Sequence, residues 1–500
     1  MLYHSTRSKT EMVGAKEAVL KGLCPDGGLY VSDDIAGAKP DMKALMGMEY
    51  EEIVYEVFRL LLTDYSDEEL RDCIAKAYKG KFETSDLTPV TKIGSNYLLE
   101  LYHGPTAAFK DMALCMLPQL MSKALKDEKV MILTATSGDT GKAALAGFRD
   151  AENIGITVFY PHGGVSDIQY LQMATAEGAN VNVAAVRGNF DDCQTGVKQV
   201  FARCSDRIRA ERKISLSSAN SINVGRLVPQ IIYYIEAYKQ LMKDGAVAFG
   251  DPVDFVVPTG NFGDILAGYY AKVIGLPVGR LVVASNENNV LTDFFASGVY
   301  NKKRPFVKTI SPSMDILVSS NLERMLYYAA DGDCDYVAGL MKDLSEKGGF
   351  EVTDEVMARL DETFDAAYAD NEESKAAIRE AFEKDGRLID PHTACGYKVA
   401  QRMEEDRKDC GESGNPTVIL STASPFKFAK DVYEAIFGAF TKEDGSEPDG
   451  FDYMKALAEK TGEKIPAPLA ELKSKPVLHK SVVNIDEIEK FVVEGLKVLG

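Results

Sequence analysis

Histidine is scarce in this chain, with five among 500 residues. Eight cysteines are scattered with no CxxC pair and no Cys/His cluster, so a metal site is not expected. The same spacing argues against a disulfide framework and for a reducing, cytoplasmic compartment. No apolar run reaches the roughly 18 residues that a membrane-spanning helix needs. The opening MLYHSTRSKTEM has no apolar stretch, which predicts no secretory signal. Basic residues are also short, 57 Lys and Arg against 76 Asp and Glu, for a formal charge of −19. That field repels nucleic acid and anionic membrane, so neither is an expected partner. An anionic substrate would have to be held by a local cluster of donors. Repeats and low-complexity tracts are absent too.

What the chain does have is core. Hydrophobic residues make up 45% of it, enough for two or three domains. Residues 1 to about 85 read as helices at 11–21, 41–62 and 66–79, with a turn-rich stretch and one short strand at 24–35. From about residue 90 strands and helices alternate. Strands are expected at 130–135, 156–160, 181–186, 253–258, 280–285 and 417–421. Helices are expected at 142–150, 167–177, 190–204, 224–242 and 263–274. Residues 313–410 read as helical and charged, with a solvated loop at 404–416. Helices at 426–438 and 485–498 flank a polar excursion at 442–450. This rhythm predicts an α/β protein with parallel sheets covered on both faces.

Chemistry concentrates in a few stretches. In His103-Gly104-Pro105-Thr106-Ala107-Ala108-Phe109-Lys110-Asp111, a Gly-Pro turn leads into apolar residues at helical spacing. Lys110 thus stands at a helix mouth, where the dipole disfavours a cation and favours the nucleophilic amine. A solvated lysine beside Asp111 is the bland alternative. Thr136-Ser137-Gly138-Asp139-Thr140-Gly141 follows a strand and opens a helix, the arrangement of an anion site. It is not a Walker loop, because Thr136 stands where the first glycine is required. Thr259-Gly260-Asn261-Phe262-Gly263-Asp264 repeats the arrangement and suits a phosphate. In Ser218–Arg226, Asn220, Ser221 and Arg226 could form a second phosphate pocket, since guanidinium reads phosphate oxygens in pairs. Thr422, beyond the last strand, could bond a heterocycle nitrogen. Each of these turns also reads as an ordinary helix cap.

Taken together and in order, HGPTAAFKD (103–111), TSGDTGKAA (136–144), SANSINVGR (218–226), PTGNFGDI (258–265), SPSMDILVSSNLER (311–324) and STASPFKF (421–428) resemble the motifs of the threonine synthase family. The resemblance is to its longer bacterial and fungal branch and covers essentially the whole chain. It implies a fold-type II pyridoxal-phosphate enzyme, tryptophan synthase β-like, with two open parallel-sheet α/β domains. A small, mainly helical N-terminal domain would occupy 1–85. The catalytic region would be 86–500, its smaller α/β subdomain at about 130–220 and the larger formed by the remainder.

By the same resemblance Lys110 is the Schiff-base lysine, and Phe109, Gly260, Asn261, Phe262, Gly263 and Asp264 surround the cofactor and its phosphate. Asp139 sits beside the pyridine 3′-oxygen and Thr422 faces the ring nitrogen. Thr136, Ser137 and Thr140 receive the substrate carboxylate, and Asn220, Ser221 and Arg226 its phosphate. Many relatives carry His where this chain has Ser424. The implied reaction takes O-phospho-L-homoserine and water to L-threonine and phosphate, the last step of threonine biosynthesis. Rivals are another fold-type II activity, such as a dehydratase, or a catalytically silent relative. A cytoplasmic monomer or homodimer is the expected state.

Overall fold

The structure, a computed structural model, describes all residues except 126, 127, 137, 412 and 443. Two sheets organise it. The larger has the strand order Phe364–Tyr368, Val278–Ser285, Val253–Pro258, Thr417–Ser421, Asn96–Glu100, Val90–Ile93. Its strands run parallel except at the Val90–Ile93 edge, which pairs antiparallel with Asn96–Glu100. The smaller sheet is parallel throughout, in the order Ser481–Val483, Val181–Val186, Ile154–Pro161, Lys129–Ala135, Ile214–Ser217. Strands covered on both faces carry near-continuous apolar runs, as in Val253–Pro258 and Ile154–Pro161, where every residue is buried. Among the described residues no helix is long and apolar enough to cross a membrane.

Several boundaries differ from expectation for identifiable reasons. The N-terminal region is not helical from 11. Ser8–Val13 pairs antiparallel with Tyr3–Ser5, which also pairs with Tyr30–Val31, and the helix begins only at Ala15. The expected helix 41–62 is two, Met42–Leu45 and Tyr50–Leu61, parted around Gly47. Pro229 withholds an amide from the 224–242 run, and Val228–Gln230 tightens into a 3-10 turn between two helices. The helix expected at 190–204 continues to Arg212, and another, Gly450–Thr461, follows the polar excursion. Ile214–Ser217 and Ser481–Val483 are edge strands too short to show a period. Ser481–Val483 carries the chain's end back onto the smaller sheet, where the helix Ile488–Gly495 packs.

Three parallel strands place the site. Lys129–Ala135 in one sheet, and Val253–Pro258 and Thr417–Ser421 in the other, deliver Thr136, Thr259 and Thr422 from their carboxyl ends. Open parallel sheets gather ligands at these ends. Here the ends of both sheets open into one cleft of about 1930 Å³.

Candidate active site

Lys110 lines that cleft from a loop fastened to the end of the last strand. The Phe109 amide donates to the Thr422 carbonyl at 2.8 Å, and the Ser424 amide to the Ala107 carbonyl at 3.0 Å. Ala107 takes a positive φ of 56° in the turn. Asp111 closes the loop from within, accepting from the Thr106 amide at 2.8 Å and its hydroxyl at 2.6 Å. The Lys110 amine lies 4.5 Å above the Phe109 ring centroid and has no hydrogen-bond or ion-pair partner among the described residues. Burial, offset in part by Asp139 and Asp264 and reinforced by Arg226 and Lys427, lowers its pKa to about 8. The expected direction holds, but the expected cause does not. The helix Lys110–Leu114 spans a single turn, and desolvation does the lowering.

Opposite stands the turn after Pro258. Its amides at Asn261, Phe262 and Gly263 have no acceptor among the described residues. Its carbonyls, in contrast, are tied down from behind. Ser319 Oγ donates to the Gly260 carbonyl at 2.7 Å, and the Asn321 amide and side chain each donate to the Asn261 carbonyl at 3.0 Å. Phe262 adopts φ +60°, with its ring against Phe295 and Phe364. A Cβ on Gly260 would come within 2.9 Å of the Ser313 carbonyl oxygen, so the wall fits only glycine. This turn presents free N–H groups at the start of the helix Gly263–Val273.

Arg226 places a buried guanidinium in the same cleft. It is 3% exposed, donates from Nη1 to the Ala219 carbonyl at 3.0 Å, and has a buried Nε without a partner. No carboxylate pairs with it among the described residues, and burial lowers its pKa to about 10. Asn220 Oδ1 is likewise buried and unsatisfied. Unpaired buried polar groups are costly unless a ligand completes them.

Asp139 opens the helix Asp139–Phe148 after Gly138, whose φ is 141°. Burial alone would raise its carboxyl, but Lys427 and Lys110 outweigh burial and hold it well below the usual carboxylate range. Thr136 Oγ1 accepts from the Gly138 and Gly141 amides, each at 2.9 Å, and so shapes this turn. Asp264, in the Gly263–Val273 helix, accepts from the Tyr233 and Tyr234 hydroxyls, while its Oδ2 is unpartnered. Burial lifts its carboxyl to about 6 against the lowering by both tyrosines and Lys110.

Residues 2–78 match the family described as threonine synthase N terminus, 88–423 the pyridoxal-phosphate dependent enzymes, and 393–492 threonine synthase, C-terminal. The Pseudomonas aeruginosa threonine synthase is 38% identical over 88% of this chain and 91% of its own. The chain belongs to the threonine synthase family. Human threonine synthase-like 1 is also 38% identical over 84% of this chain, but the chain spans only 58% of that protein's length. A crystal structure of pyridoxal-phosphate-bound threonine synthase from Brucella melitensis superposes with a TM-score of 0.84, at 35% identity and 99% coverage of both chains. The fold-type II architecture read from the motifs is therefore borne out.

The family's cofactor is pyridoxal phosphate, and the cleft fits it. Free amides at 261–263 match a phosphate, the glycine-only wall at Gly260 allows close approach, and an unpaired buried amine at Lys110 awaits an aldehyde carbon. Phe109, Lys110, Thr136, Asp139, Thr140, Asn220, Ser221, Arg226, Gly260, Asn261, Phe262, Gly263, Asp264 and Thr422 all line this one cleft. Ser137 lies outside the described residues.

Three residues of this threonine synthase family member escaped the sequence reading. Lys427 ion-pairs with Asp139 at 2.7 Å. It stands within STASPFKF, where its setting between Phe426 and Phe428 is the local sign of burial. His392 is placed by Asp390, which faces its Nδ1, and its Nε2 accepts from the Ser313 amide at 3.1 Å. That bonding fixes Nδ1–H as the donor to Asp390. Arg324, fully buried, donates to the Tyr30 and Ile222 carbonyls and to Asn321, joining the N-terminal region to the segment 218–226 and to Asn321 behind the 259–264 turn.

Proposed function

We propose that this chain converts O-phospho-L-homoserine and water to L-threonine and inorganic phosphate. The observation that carries the reading is Arg226: a buried guanidinium with an unsatisfied Nε in the same cleft as a buried, unpaired lysine. A dehydratase substrate has no phosphate and would leave that guanidinium unmatched.

Lys110 and the amides at 261–263 would hold pyridoxal phosphate, which would supply the electron sink for carbanion chemistry beside the substrate nitrogen. The residues do the rest. Thr136, Ser137 and Thr140 receive the substrate carboxylate, and Asn220, Ser221 and Arg226 its phosphate. Lys110, eased towards the free amine by burial, takes the proton from Cα and serves the later transfers at Cβ and Cγ. The Cγ–O bond breaks, and phosphate departs with the bonding pair onto Arg226, whose charge meets the negative charge as it develops. The Cβ proton lost in the elimination is matched by one delivered to Cγ. Water then adds its hydroxyl at Cβ and yields its other proton to the released phosphate, and Cα regains its proton. At the ring nitrogen Thr422 would offer a hydroxyl rather than a carboxylate, which would favour elimination over transamination. Asp139 would adjoin the 3′-oxygen of the bound cofactor.

The matching division of the chain is an N-terminal unit at 1–85 and a catalytic region at 86–500. The smaller α/β unit, at about 130–220, gains the returning C-terminal strand.

Holoenzyme given O-phospho-L-homoserine should yield threonine and phosphate in equal amounts, dependent on added cofactor. Arg226→Ala should raise KM for this substrate roughly 10- to 100-fold, the worth of charged hydrogen bonds, with little change in cofactor binding. Unchanged KM would remove the phosphate role from Arg226, and no phosphate release by the wild type would remove the activity.

A further inference from the structure

Lys427 is as deeply buried as any charged group in the protein, with its side chain 0% exposed and that of Asp139 2%. It rises from the short turn Pro425–Phe428 beyond the last strand of the larger sheet. Its ammonium reaches two other segments. One contact is Asp139 Oδ1 at 2.7 Å, at the head of a helix on the smaller sheet; the other is the Thr106 carbonyl at 3.0 Å, in the loop that presents Lys110. Asp139 also accepts from Gln169 Nε2 at 3.2 Å and Ser313 Oγ at 3.5 Å. Both are neutral, so Lys427 is the cation bonded to this carboxylate. Lys110 lies close enough to feel both charges, Asp139 favouring its protonated form and Lys427 opposing it.

We propose that Lys427 is a positioning residue of the active site: it holds Asp139 as a carboxylate at the reaction centre and cancels its charge there, so that the two act on the Lys110 nitrogen as one neutral unit. The proposal rests on the reading that Lys110 carries the cofactor and Asp139 adjoins it. A buried carboxylate without its cation would attract a proton at the reacting nitrogen, and a buried ammonium without its anion would repel one. A neutral amide at 139 would need no cation. The pairing thus accounts for two charged residues where one neutral residue could stand.

Opposite signs make the idea testable in the holoenzyme. Other titratable groups face this set: Arg226 and Asp264 towards Lys110, His392 towards Asp139, and Asp111 and Lys142 towards Lys427. All are common to the variants compared. The readout is the pH midpoint at which the visible band of the bound cofactor changes. Lys427→Met should move the midpoint upward by about one pH unit or more, and Asp139→Asn should move it downward. The double variant should return close to wild type.

Unmoved midpoints, shifts of the same sign, or a double variant that sums two losses would overturn the proposal. Should Lys427→Met not fold, the Asp139→Asn arm decides, and an unmoved or raised midpoint overturns it. If neither single variant folds, a folded double variant supports the pair and an unfolded one contradicts it. A wild type with no borohydride-sensitive visible band overturns the underlying cofactor reading instead, and this proposal with it.

Discussion

Lys110 and Lys427 make a useful contrast, because both are buried and stand on segments fastened to each other. Lys427 has a carboxylate at 2.7 Å and a carbonyl at 3.0 Å. Lys110 has neither, only the face of Phe109. Burying an ammonium is costly unless it is paired, and an unpaired one eases its position by releasing its proton. The fold sets Asp139 against Lys427, while Asp264, the other carboxylate near Lys110, is bonded by two tyrosines. It leaves without a partner the lysine proposed to act as an amine. A lysine's role here is set by what the neighbouring segments deny it as much as by what they offer.

The contrast can be broken most severely at Lys110 itself. Lys110→Ala should abolish the covalent cofactor link and lower turnover by roughly 10³-fold or more, read as phosphate release per holoenzyme. Stability should respond in the opposite order. Lys427→Met removes one partner of a buried pair and should cost about 3–5 kcal/mol in urea unfolding of the apoprotein. Lys110→Met removes an unpaired buried cation and should be neutral or stabilising. Equal losses at the two sites would erase the distinction.

A subtler effect follows from pH. Lys110 titrates at about 8 in the folded chain, below the ordinary 10.5. Between those values the unfolded chain binds the extra proton, so this group's contribution to apoprotein stability rises with pH from about 8 to about 10.5. Its penalty is fully present below about pH 8. Lys110→Met should lack that rise, which paired unfolding curves at about pH 7.5 and 10 would reveal. The smallest change is expected at the phosphate turn. Gly260→Ala pushes a Cβ to 2.9 Å from the Ser313 carbonyl and should weaken cofactor affinity about 10-fold without unfolding the protein, as read by equilibrium dialysis.

Legibility in the sequence followed the length of the signal. Buried parallel strands such as Val181–Val186, apolar but for Asn182, were readable to the residue. The glycine turns at 136–141 and 259–264 were readable because amides at strand ends need small residues. Edge strands were not, since Ser8–Val13 is polar and half-exposed and Val90–Ile93 is only four residues long. Asp390 and His392 were hidden in a stretch whose charge suggested solvent, yet Asp390 is fully buried as the cap of Pro391–Cys410. Lys427 was invisible for another reason. A lysine's partner lies in three dimensions, here nearly three hundred residues away, and no local pattern records that pairing. Ser424 caps the turn that holds Lys427, its Oγ accepting from the Phe426 amide at 3.3 Å.

The central claim is that of these two lysines Lys110 alone bonds the cofactor. Borohydride reduction of holoenzyme, followed by proteolysis and peptide mass mapping, tests it directly. A single phosphopyridoxyl adduct on Lys110, with Lys427 unmodified, is the predicted result. An adduct on Lys427, or none on Lys110, would contradict the account.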